Sequence, residues 1–453
     1  MKRKKDLTKR QIAIEAARER AEEFSYIGAR RMLLTWFDAH GRRFPWRDDP
    51  TPYRVLVSEI MLQQTTTQTV LGYFHRFLER FPSPAALADS SEEEVLAMWE
   101  GLGYYRRARA LRKAAILMTE RFNSQVPESY DELLTLPGVG KYCAGAIMSF
   151  GYDRRSPILE ANTIRLHSRL IALELDPKLA DSQRLLWQTA EDWLPKESSR
   201  RRKDVYRSIN AALTDLGSMV CQPTEPRCDI CPLSKYCNAF KLELQDSLPA
   251  LKKKPAPVPK TDVAFWISRG DLTRSSVPTA PDCKASASDV LLMRRPAHAL
   301  WAGLWDFPKL EVVDPIFRND QKWRRDPELA DRLALFLESE VGAEPKQYWP
   351  GAALKVFRHS VTRYRVTLAL CRLECANAAL DPHAPRLLFD AAPPVATVGS
   401  DPSRLAPSLA AQRLRGKPLA SEWRWVPIAA LSDYPLSSPG RKIASFIQKR
   451  YAR

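Results

Sequence analysis

A chain of 453 residues, 45% hydrophobic and 27% charged, has material for two or three packed cores and is too long for one ordinary domain. Its 70 lysines and arginines against 53 acids leave a formal charge of +17, which points to a polyanionic partner, nucleic acid ahead of an anionic membrane. No apolar run has the length of a membrane span, and the basic start MKRKKDLTKR lacks the apolar stretch of a signal peptide, so neither insertion nor secretion is expected.

Residues 1–25 read as a basic, fraying helical tail. From 26 to 240 the pattern is helices joined by short polar turns. Met32, Leu33, Trp36 and Phe37 recur at helical spacing, and Leu56 and Ile60 flank Glu59 on a further helix. Val70, Phe74, Phe77, Leu78 and Phe81 form another apolar face, and Ser91-x-x-Glu94 is a capping box ahead of Val95, Leu96 and Trp99. LPGVGKY, residues 136–142, is a glycine turn between two helical patterns. Gly138 and Gly140 permit close backbone approach, and the free amides of the next helix suit a phosphate without reading sequence.

PILEANTIR, residues 157–165, places one carboxylate, Glu160, where an apolar segment gives way to the helical pattern of Ile164, Leu166 and Leu170. That acid is either a favourable charge at a helix N-terminus or a catalytic carboxylate. Four of the eight cysteines follow as Cys221-x6-Cys228-x2-Cys231-x5-Cys237. In reducing cytosol such a group binds zinc or an iron–sulfur cluster, and only one of the tight knuckles usual for zinc is present. Cys143, Cys283, Cys371 and Cys375 have no such company and read as packed thiols.

The stretch LKKKPAPVPK makes 241–261 a stiff basic linker. Beyond it, residues 262–453 carry β-rich runs at Val263–Ile267, Val290–Met293, Leu354–Phe357, Tyr364–Cys371 and Trp423–Val426. Helical patterns near Pro327–Val341 and Pro439–Lys449 complete an α+β domain, with an irregular Pro- and Ala-rich stretch between Leu380 and Leu419.

VSEIMLQQT (57–65), GLGYY (101–105), LPGVGKY and the cysteine spacing resemble the helix-hairpin-helix DNA glycosylases, and in detail the MutY-type adenine DNA glycosylases. The match runs from Tyr26 to Phe240 and resumes at LWAGLWDFP (300–308) and FRHS (357–360), which resemble that family's C-terminal domain. The resemblance implies a mainly α N-terminal helix-hairpin-helix glycosylase domain with an iron–sulfur cluster loop, followed by an α+β Nudix-like C-terminal domain. It implies a [4Fe–4S] cluster on Cys221, Cys228, Cys231 and Cys237, and excision of adenine mispaired with 8-oxoguanine or guanine in base-excision repair. The expected partner is double-stranded DNA bound by a monomer, in the cytoplasm, or on the nucleoid if the source is bacterial.

Residue by residue, the resemblance makes Glu59 the acid that protonates adenine, with Arg47 near the base and Tyr142 beside the reacting sugar. Glu160 takes the place of the carboxylate facing the sugar cation, and Asn162 supports it. Gln64 and Tyr104 match residues that wedge into the base stack, and Leu62 and Thr65 match others that touch the damaged pair. Gly138 and Gly140 belong to the phosphate-binding hairpin, and Thr362 and Arg363 to a turn that reads the opposite strand. Endonuclease III-like relatives carry a Schiff-base lysine where this chain has Tyr142, which implies a monofunctional enzyme.

Two departures stand out. The family's Asp-Gly-Asn is Glu160-Ala161-Asn162 here, and the added methylene moves the charge by roughly an ångström, a displacement that can cost about 100-fold in rate. Its Phe-Ser-His turn is Val361-Thr362-Arg363, where Arg363 suits a phosphate or a guanine edge. No G-x5-E-x7-REUxEExGU string follows Pro308, so nucleotide hydrolysis is not expected. The rival readings are a catalytically impaired mismatch-binding protein of the same fold and a glycosylase with a different target base.

Overall fold

The computed structural model describes residues 2–199, 203–251, 255–268, 289–296, 299–312, 327–341, 348–361, 363–375 and 422–451. The chain divides into two compact units, Met1–Lys254 and Pro255–Arg453.

The first unit is helical. It opens with α1 (Lys2–Glu22), α2 (Tyr26–His40), α3 (Pro45–Asp48), α4 (Pro52–Leu62), α5 (Thr67–Arg80), α6 (Pro84–Asp89) and α7 (Glu92–Met98). It continues with α8 (Arg106–Arg121), α9 (Tyr130–Thr135), α10 (Lys141–Ala146), α11 (Ala161–Leu170), α12 (Ala180–Asp192), α13 (Val205–Met219) and α14 (Asn238–Lys241). The basic N-terminal run is packed along its second half: Ala17 and Ala21 are buried, Arg10 pairs with Asp181 at 2.8 Å, and Arg20 donates to the Ala172 carbonyl at 3.1 Å.

Helix α4 is the hub of this unit. Thr51 caps it by accepting from the Arg54 amide, and Pro52 fills its first turn, where no N–H partner is lost. Tyr53 and every residue from Val55 to Met61 are buried, so apolar side chains face outward all round. Around it pack α5, α8, α10 and a π-helical turn, Ile147–Gly151, that extends α10. A second core joins α2, α11 and α13 through Leu33, Leu166, Leu170, Tyr206, Leu213 and Trp193.

The second unit has strands β1 (Val258–Trp266), β2 (Asp289–Arg294), β3 (Trp305–Asp306), β4 (Lys309–Val312), β5 (Tyr348–Val361), β6 (Tyr364–Cys375) and β7 (Glu422–Pro427). Two helices, α15 (Pro327–Val341) and α16 (Ser438–Tyr451), accompany them. One sheet runs β4-β1-β6-β5 and the other β3-β2-β7. β1 lies parallel to β6, and β5 and β6 form an antiparallel hairpin closed by Val361 opposite Tyr364. Alternate residues of β1 and β6 point to opposite layers. Val263, Phe265 and Cys371 meet Leu333 and Phe336 of α15, whereas Ala264, Trp266 and Leu370 meet Ile443 and Ile447 of α16.

β1 begins at Val258, inside the stretch that composition marks as linker. Pro259 is tolerated there because pairing with β4 starts only at Thr261, so no ladder amide is missed on that side. The stretch 380–419 and Cys283 lie outside the described residues.

Candidate active site

Glu59 sits midway along α4 with only 5% of its surface exposed. A carboxylate there is stripped of water, and burial pushes its pKa up to about 7. A hydrogen bond from Tyr142 and the charge of Arg47 work against that shift, while the Glu160 charge adds to it. One oxygen, Oε2, has no hydrogen-bond partner among the described residues. A buried acid that is half protonated near neutrality and keeps a free oxygen is equipped to give or take a proton.

Tyr142 reaches Glu59 from the first turn of α10, which Gly140 precedes in extended conformation. Its hydroxyl is held protonated, first by burial and then by the neighbouring carboxylates. Lys141 is exposed. The hairpin ahead of α10 turns at Gly138, whose φ is +85° and where a side chain would strike the Ala110 Cβ at 2.9 Å, so glycine is required twice over. Gln63 Nε2 donates to the Gly138 carbonyl at 3.4 Å, tying the hairpin to the end of α4.

Glu160 is the N-cap of α11. Its Oε1 accepts from the Thr163 amide at 3.0 Å and its Oε2 from the Asn162 amide at 2.9 Å, with Asn162 Nδ2 a further donor at 3.2 Å. Thr163 Oγ1 accepts in return from the Glu160 amide at 2.8 Å, completing a reciprocal cap. Burial raises the Glu160 pKa, and the two amides and Arg165 oppose it. Both alternatives read from the sequence therefore fit the same residue: it caps a helix, and it faces the buried Glu59 closely enough to raise that pKa.

Asn162 is held from behind. Arg165 donates to its Oδ1 at 2.8 Å, to the Gly217 carbonyl at 2.6 Å and, through Nε, to the Cys221 carbonyl at 2.7 Å. A side chain at Gly217 would lie 2.8 Å from the Asn162 carbonyl, so α13 packs directly on the cap.

Arg47 is anchored by Asp215, a fully buried acid on α13. Arg47 Nη1 and Nη2 reach its two oxygens at 2.8 and 3.1 Å, and Arg42 Nε and Nη2 both donate to Oδ1 at 2.9 and 2.7 Å while its amide donates to Oδ2 at 2.9 Å. Burial opposes ionisation of Asp215, yet these two arginines hold its pKa below the ordinary value. Both guanidinium groups also lie over the Phe44 ring, at 5.0 and 5.1 Å. Asp215→Asn is expected to destabilise the unit by about 3 kcal/mol, because two cations lose the charge that holds them. The same change leaves the Arg47 charge less neutralised beside Glu59, so the Glu59 pKa falls. Urea denaturation and the pH profile of the reaction check the two effects.

Leu62, Gln64 and Thr65 lie where α4 ends, and Tyr104 lies in the loop before α8. Gln64 and Tyr104 are both exposed and both have positive φ, +62° and +50°. Leu62 and Thr65 are half-buried beside Gln64. Arg363 belongs to the other unit, exposed at the β5–β6 turn, where its Nη2 donates to Tyr364 Oη at 2.9 Å. Thr362 lies outside the described residues.

Cys221, Cys228, Cys231 and Cys237 line one cavity, together with Arg169 and Gln245. Arg169 Nη1 donates to Cys221 Sγ at 3.2 Å, placing a positive charge at the cavity wall, and Gln245 Oε1 is buried without a partner among the described residues. Among those residues no three His, Cys, Asp or Glu side chains converge on a single ion. Four cysteines lining one cavity are a donor set for zinc or for an iron–sulfur cluster. Cys143 and Cys371 are buried, as packed thiols should be.

Asp215 carries no local signal in the sequence as a site residue, whereas Arg165 and Arg169 carry a weak one. Arg165 and Arg169 are spaced i, i+4 on a face with Leu166 and Leu170, a misplaced pair of charges that marks a built feature.

This arrangement defines a class. The family model for the HhH-GPD superfamily base excision DNA repair protein matches residues 57–192, which contain Glu59, Tyr142 and Glu160, and a NUDIX domain model matches 284–445. An adenine DNA glycosylase from Buchnera aphidicola (subsp. Baizongia pistaciae) is 33% identical over 65% of this chain and 78% of its own length. The adenine DNA glycosylase of Rattus norvegicus is 32% identical over 75% of this chain and 70% of its own. A solved thermostable thymine-DNA glycosylase aligns with 47% of this chain and 95% of its own, at 26% identity and a TM-score of 0.42. The chain belongs to the adenine DNA glycosylase family, of the MutY type. Among the described residues no helix is long and apolar enough to cross a membrane.

Proposed function

We propose that this protein is a monofunctional glycosylase that removes adenine paired with 8-oxoguanine or guanine in duplex DNA, by hydrolysis of the N-glycosidic bond. The observation that carries the reading is Glu59: a buried carboxyl with a pKa near 7 and one unpartnered oxygen, beside Tyr142 and facing Glu160. The adenine is flipped from the stack at a cost of about a few kcal/mol, with Gln64 and Tyr104 filling the gap and Leu62 and Thr65 against the pair. Glu59 donates its proton to the base, Arg47 lies beside it, and the bond from C1′ to N9 breaks with its electrons leaving on adenine. The sugar becomes oxocarbenium-like, and the Glu160 carboxylate, steadied by Asn162, offsets that charge until water adds at C1′ and passes its spare proton to the Glu59 carboxylate. Tyr142 fills the position of a Schiff-base lysine with a group that forms no imine, so strand cleavage is not expected. Gly138 and Gly140 present backbone amides to a phosphate, and Thr362 and Arg363 read the strand opposite the adenine.

The four cysteines are proposed to hold a [4Fe–4S] cluster, which organises the loop 221–237 and supplies no electron to a hydrolysis. Cys228→Ser is expected to cost the brown colour and to lower the melting temperature of the helical unit. A colourless wild type containing zinc overturns the assignment.

The reading is tested by single-turnover excision from an A:8-oxoguanine duplex with enzyme in excess. One observation favours a second reading: both Glu160 oxygens are already engaged as a helix cap. Tight mismatch binding without an abasic product supports a recognition protein, and release of another base from a T:8-oxoguanine or G:8-oxoguanine duplex supports a different target. The proposed setting is a monomer acting on cytoplasmic or nucleoid DNA.

A further inference from the structure

Six acceptors converge on one buried guanidinium. Arg107, near the start of α8, donates through Nη1 to the carbonyls of Ile60 (2.9 Å), Met61 (2.6 Å) and Gln63. Through Nη2 it reaches Thr65 Oγ1 (2.9 Å) and the carbonyls of Leu102 (3.3 Å) and Gly103 (3.0 Å). The first four acceptors lie at the end of α4 and the turn after it, and the last two in the loop 101–104. The guanidinium also lies 5.5 Å from the centres of both the Trp99 and Tyr104 rings. Only 5% of Arg107 is exposed, and burial pushes its pKa down to about 10, so it stays charged.

The two segments it joins carry Gln64 and Tyr104, each exposed and each with positive φ. Backbone in that region is unfavourable for residues with a Cβ and persists only where the surroundings over-determine it. The last carbonyls of a helix also lack partners of their own. Arg107 supplies donors to the carbonyls just ahead of each strained residue and to the Thr65 hydroxyl just after Gln64, and so holds two loops that are about 40 residues apart in sequence.

We propose that Arg107 is a positioning residue that makes the two loops one rigid wedge, so that Gln64 and Tyr104 enter the DNA duplex together. The proposal rests on the glycosylase reading above, in which those two residues fill the gap left by the flipped base. Two independent loops would each be ordered at the moment of insertion; with Arg107 in place that ordering is completed on folding. The role needs a planar fork with several fixed donors, which arginine has and lysine lacks.

The test is a double-mutant cycle in the full chain. Gln64→Ala and Tyr104→Ala are made singly and together, in the wild-type and Arg107→Lys backgrounds. Affinity is measured for a duplex with uncleavable 2′-fluoro-2′-deoxyadenosine opposite 8-oxoguanine. In the wild-type background each single change is expected to weaken binding about tenfold and the pair scarcely more, because losing either half disables the wedge. In Arg107→Lys the two losses multiply. Losses that multiply in the wild type, or non-additivity that survives Arg107→Lys, overturn the proposal. If neither single change weakens binding, the wedge assignment itself fails and takes the coupling with it. A purely structural Arg107 lowers melting temperatures and leaves the cycle unchanged. Should Arg107→Lys fail to fold, losses that multiply in the wild-type cycle still overturn the proposal, and Arg107→Gln supplies the second background.

Discussion

Glu59→Gln is expected to slow adenine excision by about 10²–10⁴-fold while leaving affinity for the mismatch within a few-fold of wild type. The amide keeps the size of the side chain and can hydrogen-bond to Tyr142, so the fold and the pocket survive. What is lost is an acidic proton. The pKa of about 7 sets the accompanying pH dependence, and its sign is fixed by the chemistry: the protonated form is the active one. Single-turnover rates should fall about tenfold per unit well above pH 7 as Glu59 loses its proton, and fall again in acid as the Glu160 carboxylate takes one up; Glu59→Gln should lack the alkaline descent. Near-normal turnover by this variant removes Glu59 from the mechanism.

Glu160→Asp is expected to raise the single-turnover rate, by as much as about 100-fold if the added methylene costs what an ångström of misplacement can cost. Aspartate is among the preferred N-cap residues, so the cap on α11 and the stability of the unit are retained. Glu160→Gln keeps one accepting oxygen for the cap but removes the charge, and is expected to lose excision with only a modest fall in melting temperature. If Glu160→Asp is no faster, or slower, the pocket has adjusted to the longer side chain, with Ala161 and Gly217 as the neighbouring positions that shape it.

The helical unit was legible because its helices are long and periodic, and five strands of the second unit stood out as β-branched or aromatic runs. β3 and β4 did not, since two and four residues are too few to show an alternation. Glu59 was readable from the apolar residues around it, and the hairpin from its glycines. Asp215 was not: an isolated aspartate on an amphipathic helix looks solvated until two arginines about 170 residues away in sequence fold onto it. Arg107 was hidden for the same reason, because its six partners are mostly backbone carbonyls, which no sequence pattern displays. Glu160 was read as either cap or catalyst; the structure gives it the hydrogen bonds of a cap and brings its charge to bear on Glu59, and the excision assay decides the rest.

Helix α4, enclosed on all sides, has a consequence for how the protein breathes. Its amides have no shallow route to solvent, since α5, α8, α10 and the π-helical turn would all have to part first. They are expected to be among the slowest in the helical unit to exchange hydrogen for deuterium, opening only with the whole unit. Glu59, the proposed proton donor, thus sits on a helix held on several sides, and its position is expected to be kept by the packing of the whole unit.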